Sequence, residues 1–253
     1  MRIKERLLPL LTVVLVLLFW QLVAVVYGIE MIIPTPATTW ERLTEVLVKS
    51  EFWTGVWNTL VRSVVAFLIA FFGALGLALL SRASKVFYKL FYPVVVMLRA
   101  LPTIAVIFIC YIAIRGWYRA VLIALLVIFP TLYASFYTAF MGCSGELAEV
   151  NKVYGVSKRH VLLKFIIPSV WASMYSDIVN TLSLTVKLII AAEAVTATSN
   201  SLGDMMAAAK SNFEMAEVFA YTIVAVALSY FTELVIRLTA RIVKEVSKKC
   251  RLH

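Results

Sequence analysis

The chain has 253 residues, 62% of them hydrophobic, and a mean hydropathy of +0.93; a soluble domain of this size needs far more polar surface to cover its core. Its formal net charge of +10 is divided among short clusters between apolar runs, the pattern of membrane-flanking loops and not of a nucleic-acid patch. The cysteines (Cys110, Cys143, Cys250) and histidines (His160, His253) have neither CxxC nor ligand spacing, which argues against a disulfide framework or a metal site.

A hydrocarbon core of roughly 30 Å takes about 20 apolar residues as helix. Six segments qualify, the first being Leu8–Val26. Its apolar run is too long for a signal-peptide core and no small-residue cleavage site follows, so it reads as a retained span. Next, Ile33-Pro34-Thr35-Pro36 is extended, and Thr38 or Thr39 is placed to cap a short helix containing Trp40, Leu43, Val46 and Leu47. Trp40, Trp53 and Trp57 suit an interfacial belt. The second span is Val61–Leu80, where Gly73 and Gly76 would let a neighbouring helix approach closely.

The third span is Tyr92–Ile114, with Arg99 inside it and Pro102 placed to kink it. Ala120–Phe140, Ile178–Ala197 and Phe219–Leu238 complete the set, the fifth carrying Lys187 and Glu193. Between the last two, Ser199–Phe213 is expected to form a short surface helix after Gly203. An even number of spans puts both termini on one side. That side gathers Arg2, Lys4 and Arg6, then Arg82, Lys85 and Lys89, then Lys152, Lys158, Arg159 and Lys164, and the basic tail from Arg237 to Arg251. The opposite side holds only Arg42, Lys49, Arg62, Arg115, Arg119 and Lys210. The excess of positive charge predicts cytoplasmic termini.

The longest loop on the basic side, 142–168, reads as a helix to Tyr154, a break at Gly155 and a second short helix capped by Ser157. Val161, Leu162 and Phe165 give that second helix an apolar face. Apolar residues exposed on a loop imply a protein that covers them. The order Glu149-Val150-Asn151, Gly155, Phe165-Ile166-Ile167-Pro168 resembles the EAA loop of bacterial ABC importer permeases: E-A-A, three residues, G, nine residues, I-x-L-P. Every interval agrees, while the alanines and the isoleucine are replaced.

The resemblance extends along the chain. Ile33-Pro34-Thr35-Pro36, Asn58-Thr59-Leu60-Val61-Arg62, Leu98-Arg99-Ala100-Leu101-Pro102, Ala192-Glu193 and Ser201-Leu202-Gly203 fall in the order seen in the sulfonate/taurine/nitrate branch of those permeases. It implies an all-α integral membrane fold of six transmembrane helices with a cytoplasmic coupling helix, the type I importer architecture. Residues 1–57 would form a first span and an outer amphipathic segment, and 58–253 the core permease domain. Glu149, Gly155, Val161, Leu162, Phe165 and Pro168 would couple the chain to cytoplasmic ABC ATPase subunits. The resemblance further implies a homodimer and an external solute-binding protein or lipoprotein. No residue of this chain would be catalytic, and no cofactor would be held here, ATP and Mg belonging to the ATPase partner. Asp177-Ile178-Val179 and Val186 depart from the branch, which often has Gly-Leu-Arg and a tryptophan there, and so leave the solute unassigned.

A charge inside a span is costly enough to imply a role. Arg99 has two readings, a structural ion pair with a partner such as Glu193 or a cation facing the pathway of an anionic solute. Lys187 divides likewise between pathway and pairing. It stands six residues from Glu193, on another helix face, so each needs a partner elsewhere. Glu193 lies toward the outer surface as a gate candidate, and Asp177 is an interface or gate residue rather than a proton carrier. Glu149 has no second carboxylate or histidine spaced to make it catalytic. A membrane-embedded enzyme would need a nucleophile–base pair, and HExxH and GxSxG are missing. An ATPase-independent secondary transporter or channel is the alternative, and it leaves the Glu149–Gly155–Pro168 spacing unexplained.

Overall fold

In the computed structural model, residues 2–142 and 167–250 are described, and all regular structure among them is helical. The helices are α1 (Arg2–Tyr27), α2 (Pro36–Val48), α3 (Ser50–Ala83), α4 (Lys85–Ala100), α5 (Thr103–Ala113), α6 (Tyr118–Gly142), α7 (Ile167–Thr196), α8 (Leu202–Ser211) and α9 (Met215–Cys250). Five are long and apolar enough to cross a membrane, namely α1, α3, α6, α7 and α9, and the bent pair α4 and α5 has the length and apolarity of a sixth only when taken together, as a broken span or a re-entrant loop. Helix formation is forced here, because hydrocarbon offers no water to the backbone and each peptide group must be satisfied within its own segment.

Helices α3, α6 and α7 form the centre. Ala66, Ala70, Ala74 and Ala78 recur every fourth residue on α3 and are fully buried, so they lie in one row on one face. Ala70, Ala74 and Ala78 receive Ile128, Leu132, Tyr133, Phe136 and Phe140 of α6, with Met174, Ile178 and Leu182 of α7 closing the cluster, while Ala66 packs in a second cluster with Ile123 of α6 and Ile189 of α7. Lipid tails are as apolar as leucine, so close van der Waals packing on small residues holds such helices together. The expected small-residue contacts at Gly73 and Gly76 are not the ones used. A Cβ on Gly73 would meet only Phe129 at 3.6 Å, and one on Gly76 would meet nothing within 4 Å. At the far end of α3, the Ser81 hydroxyl and Tyr133 share a 2.6 Å hydrogen bond, and Arg82 Nη1 donates to the Phe140 carbonyl.

The third predicted span is broken rather than kinked. Leu101 and Pro102 are both extended (φ −66°, ψ 127° and φ −62°, ψ 129°), and α4 and α5 meet at 96°. Pro102 lacks an N–H, and its ring drives the preceding residue out of the α region. The short outer helix also starts earlier than expected. Thr35 is its cap, accepting from the Thr38 N–H, and Pro36 occupies the first turn, where its missing donor is harmless. Helix α3 runs unbroken across Trp57 and Asn58, the position expected to divide outer segment from core.

Helix α1 is exposed along most of its length, as a lipid-facing span should be. It is fastened near its end by Trp20, which stacks on Phe219 of α9 at 5.5 Å and donates from Nε1 to the Pro34 carbonyl. The surface helix expected after Gly203 is α8, but it is not superficial. Leu202, Gly203 and Ala209 are buried, and Leu202 joins Val46, Phe52, Val186, Ile190 and Tyr221 in a core of its own.

The alanine row sets a measurable contrast. Ala74→Leu adds three carbons where no space exists and should cost about 1–3 kcal/mol, read as a lower melting temperature of the detergent-solubilised protein. Gly76→Ala should leave melting unchanged or raise it, because its Cβ meets nothing and the helix gains propensity.

Candidate functional site

The polar centre of the molecule lies about 30 Å along α3 from Arg82, in the opposite half of that helix. Thr59 and Arg62 stand three residues apart and so share a helix face. Both are buried, Arg62 being 4% exposed. They point at Glu193, near the end of α7, whose side chain is 0% exposed. Arg62 Nη1 donates to Glu193 Oε1 at 2.7 Å. The Thr59 hydroxyl donates to Oε2 at 2.8 Å and accepts from the Leu202 N–H at 3.0 Å. The Gly203 N–H also reaches Oε2, at 3.4 Å. One carboxylate thus ties α3, α7 and the first turn of α8 together.

Local backbone makes this possible. Helix α7 ends with Ala197 in the left-handed region (φ 46°), and the Thr198 N–H bonds back to the Glu193 carbonyl at 3.2 Å, the bond pattern of a Schellman cap. Asn200 is left-handed too (φ 55°), and Ser201 caps α8 by accepting from the Asp204 N–H. This tight turn folds α8 back onto α7. Contact is so close at Gly203 that a Cβ would stand 2.4 Å from the Ile190 carbonyl oxygen and 2.6 Å from the Ala194 nitrogen. Those are backbone atoms and cannot swing aside.

Beside the ion pair opens a cavity of about 280 Å³. It is lined by Asn58 and Arg62, by Gly116, Trp117 and Arg119 around the start of α6, and by residues 197–200. Arg119 donates to the carbonyls of Ile114 (2.7 Å) and Thr196 (2.8 Å) and lies 4.6 Å above the Tyr111 ring. Asn58 donates to the Asn200 carbonyl, and Arg62 Nη2 reaches the Ser199 carbonyl at 3.4 Å.

Of the intramembrane charges singled out by sequence, only Glu193 belongs to this centre. Arg99 does not pair with it, since Arg62 holds that position; Arg99 is exposed at the end of α4. Lys187 and Asp177 are exposed on α7, and neither bonds to Glu193 among the described residues. Glu149, Gly155, Val161, Leu162 and Phe165 lie outside the described residues, and Pro168 is the second residue of α7. Arg62, which the charge distribution along the sequence groups with the cations of one membrane face, is instead buried inside α3. The available signal was its place inside a predicted span, three residues after Thr59.

The fold and this centre define a multi-pass helical membrane protein. The sequence profile of the binding-protein-dependent transport system inner membrane component matches residues 72–245, more than half of the chain, and the protein belongs to that family. It is therefore the permease component of an ABC importer and is not itself catalytic, and it implies an ATPase and a solute-binding protein as partners. Among solved structures, a chain of the MetNI methionine ABC transporter in inward-facing conformations shares the fold. The two superpose with a TM-score of 0.57 at 16% identity, over 74% of this chain and 96% of that one. No curated protein matches by sequence.

Removing one partner of a buried pair strands the other charge and costs about 3–5 kcal/mol. Glu193→Ala and Arg62→Ala should each lower stability by that order, whereas the double replacement should cost less than the two singles added, in a double-mutant cycle on thermal melts. Ala197→Gly relieves a left-handed non-glycine residue and should stabilise by about 1 kcal/mol in the same assay.

Proposed function

We propose that this permease carries a small polar or anionic solute inward by alternating access, driven by two cytoplasmic ATPases that dock on residues 149–168 of a homodimer. The observation that carries the reading is the course of α7. Its first turn holds Pro168, the last residue of the proposed docking segment, and its last turns hold Glu193 in the ion pair. A helix of 30 residues is about 45 Å long, so a shift of the docking segment reaches the Arg62–Glu193 end through one rigid rod. In this reading Glu149 and Gly155 shape the docking helix, Val161, Leu162 and Phe165 are its apolar contacts, and Glu193 belongs to the outer gate. Residues 58–253 then act as the moving core, and 1–57 as the peripheral segment.

Lys187 and Arg99 are exposed on this single chain within apolar helices. Lipid would make such cations costly, and a water-filled pathway between two copies would not. Their sign supports an anionic solute, and the order of the Asn58–Arg62, Leu98–Pro102 and Ser201–Gly203 motifs supports the sulfonate, taurine and nitrate branch. Asp177 is proposed as an inner gate residue. The distribution of Lys and Arg supports cytoplasmic termini.

Docking and pathway are separable by mutation. Gly155→Asp should abolish co-purification of the ATPase subunits, while Arg99→Ala and Lys187→Ala keep it. Each of the latter should lower solute uptake about 10- to 100-fold, the worth of one hydrogen bond to a charged group. Full uptake in both variants, or ATPase retained by Gly155→Asp, would refute the assignment.

A further inference from the structure

The cavity beside the ion pair has a charge imbalance that the pair does not remove. Arg62 and Arg119 both line it, and the carboxylate bonded to Arg62 is Glu193. Arg119 has carbonyl and ring partners but no carboxylate partner among the described residues. The local sum is therefore one positive charge. Arg62 is engaged through Nη1 with Glu193 and through Nη2 with the Ser199 carbonyl, so its charge is held in place beside the cavity.

We infer that this cavity is a binding site for a single carboxylate, held between the two arginines that line it, Arg119 and Arg62. Its size and charge select the ligand. A volume of about 280 Å³ is below the usual range for a drug-sized ligand and ample for a carboxylate with a few waters. A monoanion neutralises the site, whereas a dianion would leave excess negative charge beside Glu193. The planar guanidinium fork matches the two oxygens of a carboxylate. Because Arg62 is shared, an occupied site competes with Glu193 for the same guanidinium, and occupancy bears directly on the tie between α3, α7 and α8.

Two sources present this chemistry: a free carboxylate in solution, or an Asp or Glu side chain on the external solute-binding protein. The second source rests on the function proposed above, and the first does not. Trp117 lines the cavity and reports on it. The purified full-length permease, in nanodiscs with its ATPase, is titrated with sodium formate against sodium chloride at constant ionic strength, and the Trp117 emission is isolated by subtracting Trp117→Phe. Saturable change in the millimolar range is expected. It should weaken at least tenfold in Arg119→Gln and in Ser199→Asp. The latter sits on an exposed residue, removes neither guanidinium and supplies its own carboxylate, so it guards against misfolding of the first variant.

Docking of the solute-binding protein is measured in the same samples. Docking unaltered by Ser199→Asp, together with saturable formate binding, identifies the free ion as the source. Docking weakened tenfold by Ser199→Asp and competed by formate identifies the side chain. The inference is overturned when formate gives no saturable change and Ser199→Asp leaves docking intact. Formate binding requires neither ATP hydrolysis nor transport, so its failure is distinct from a failure of the permease reading.

Discussion

A bilayer interior supplies no water, and a charged group placed there must find all its partners within the protein. Glu193 shows how strictly the rule is applied. Its carboxylate accepts from a guanidinium and a hydroxyl of α3 and a backbone amide of α8, so two helices besides its own meet at it. Attraction between helices in lipid is otherwise non-directional and weak in driving force, so this one anion specifies which helix stands where. Replacing the pair with well-packed apolar residues could hold the bundle as firmly. What would be lost is the directional requirement that α8 fold back until the Leu202 and Gly203 amides reach their acceptors.

The two ends of the bundle are built on different principles. Along the α3–α6 contact, Ala70, Ala74 and Ala78 give a nearly featureless track against large side chains, held by non-directional packing alone. At the Arg62 end, directional bonds and a glycine with backbone at 2.4 Å from where a Cβ would go fix the fit. A body that is smooth along its length and keyed at one end can shift as a unit only when the key is released.

Much of this was legible beforehand. Long apolar runs identify α1, α3, α6, α7 and α9, because the length of a crossing is dictated by membrane thickness. The six-residue spacing of Lys187 and Glu193 implies different helix faces, and the structure has Lys187 exposed and Glu193 buried. The pairing of Arg62 with Glu193 was not legible, since 131 positions separate them and hydropathy carries no information about long-range partners. Nor was the depth of α8: a short run of small residues reads equally well as a surface turn, and only the contact at Gly203 shows that the small side chains serve close approach. Pro102 was visible as a disturbance. Its severity depended on Leu101 joining it in the extended region, a choice that local sequence biases but does not determine.

That corner at Leu101 and Pro102 carries a topological consequence. The last carbonyls of α4 and the first amides of α5 have no helical continuation to bond with, and the cap at Pro102 contributes no side-chain hydrogen bond. Hydrocarbon does not tolerate such naked peptide groups, whereas a watery cleft or a polar protein wall does. The elbow is therefore a point at which the backbone itself, and not a side chain, calls for water or a polar surface.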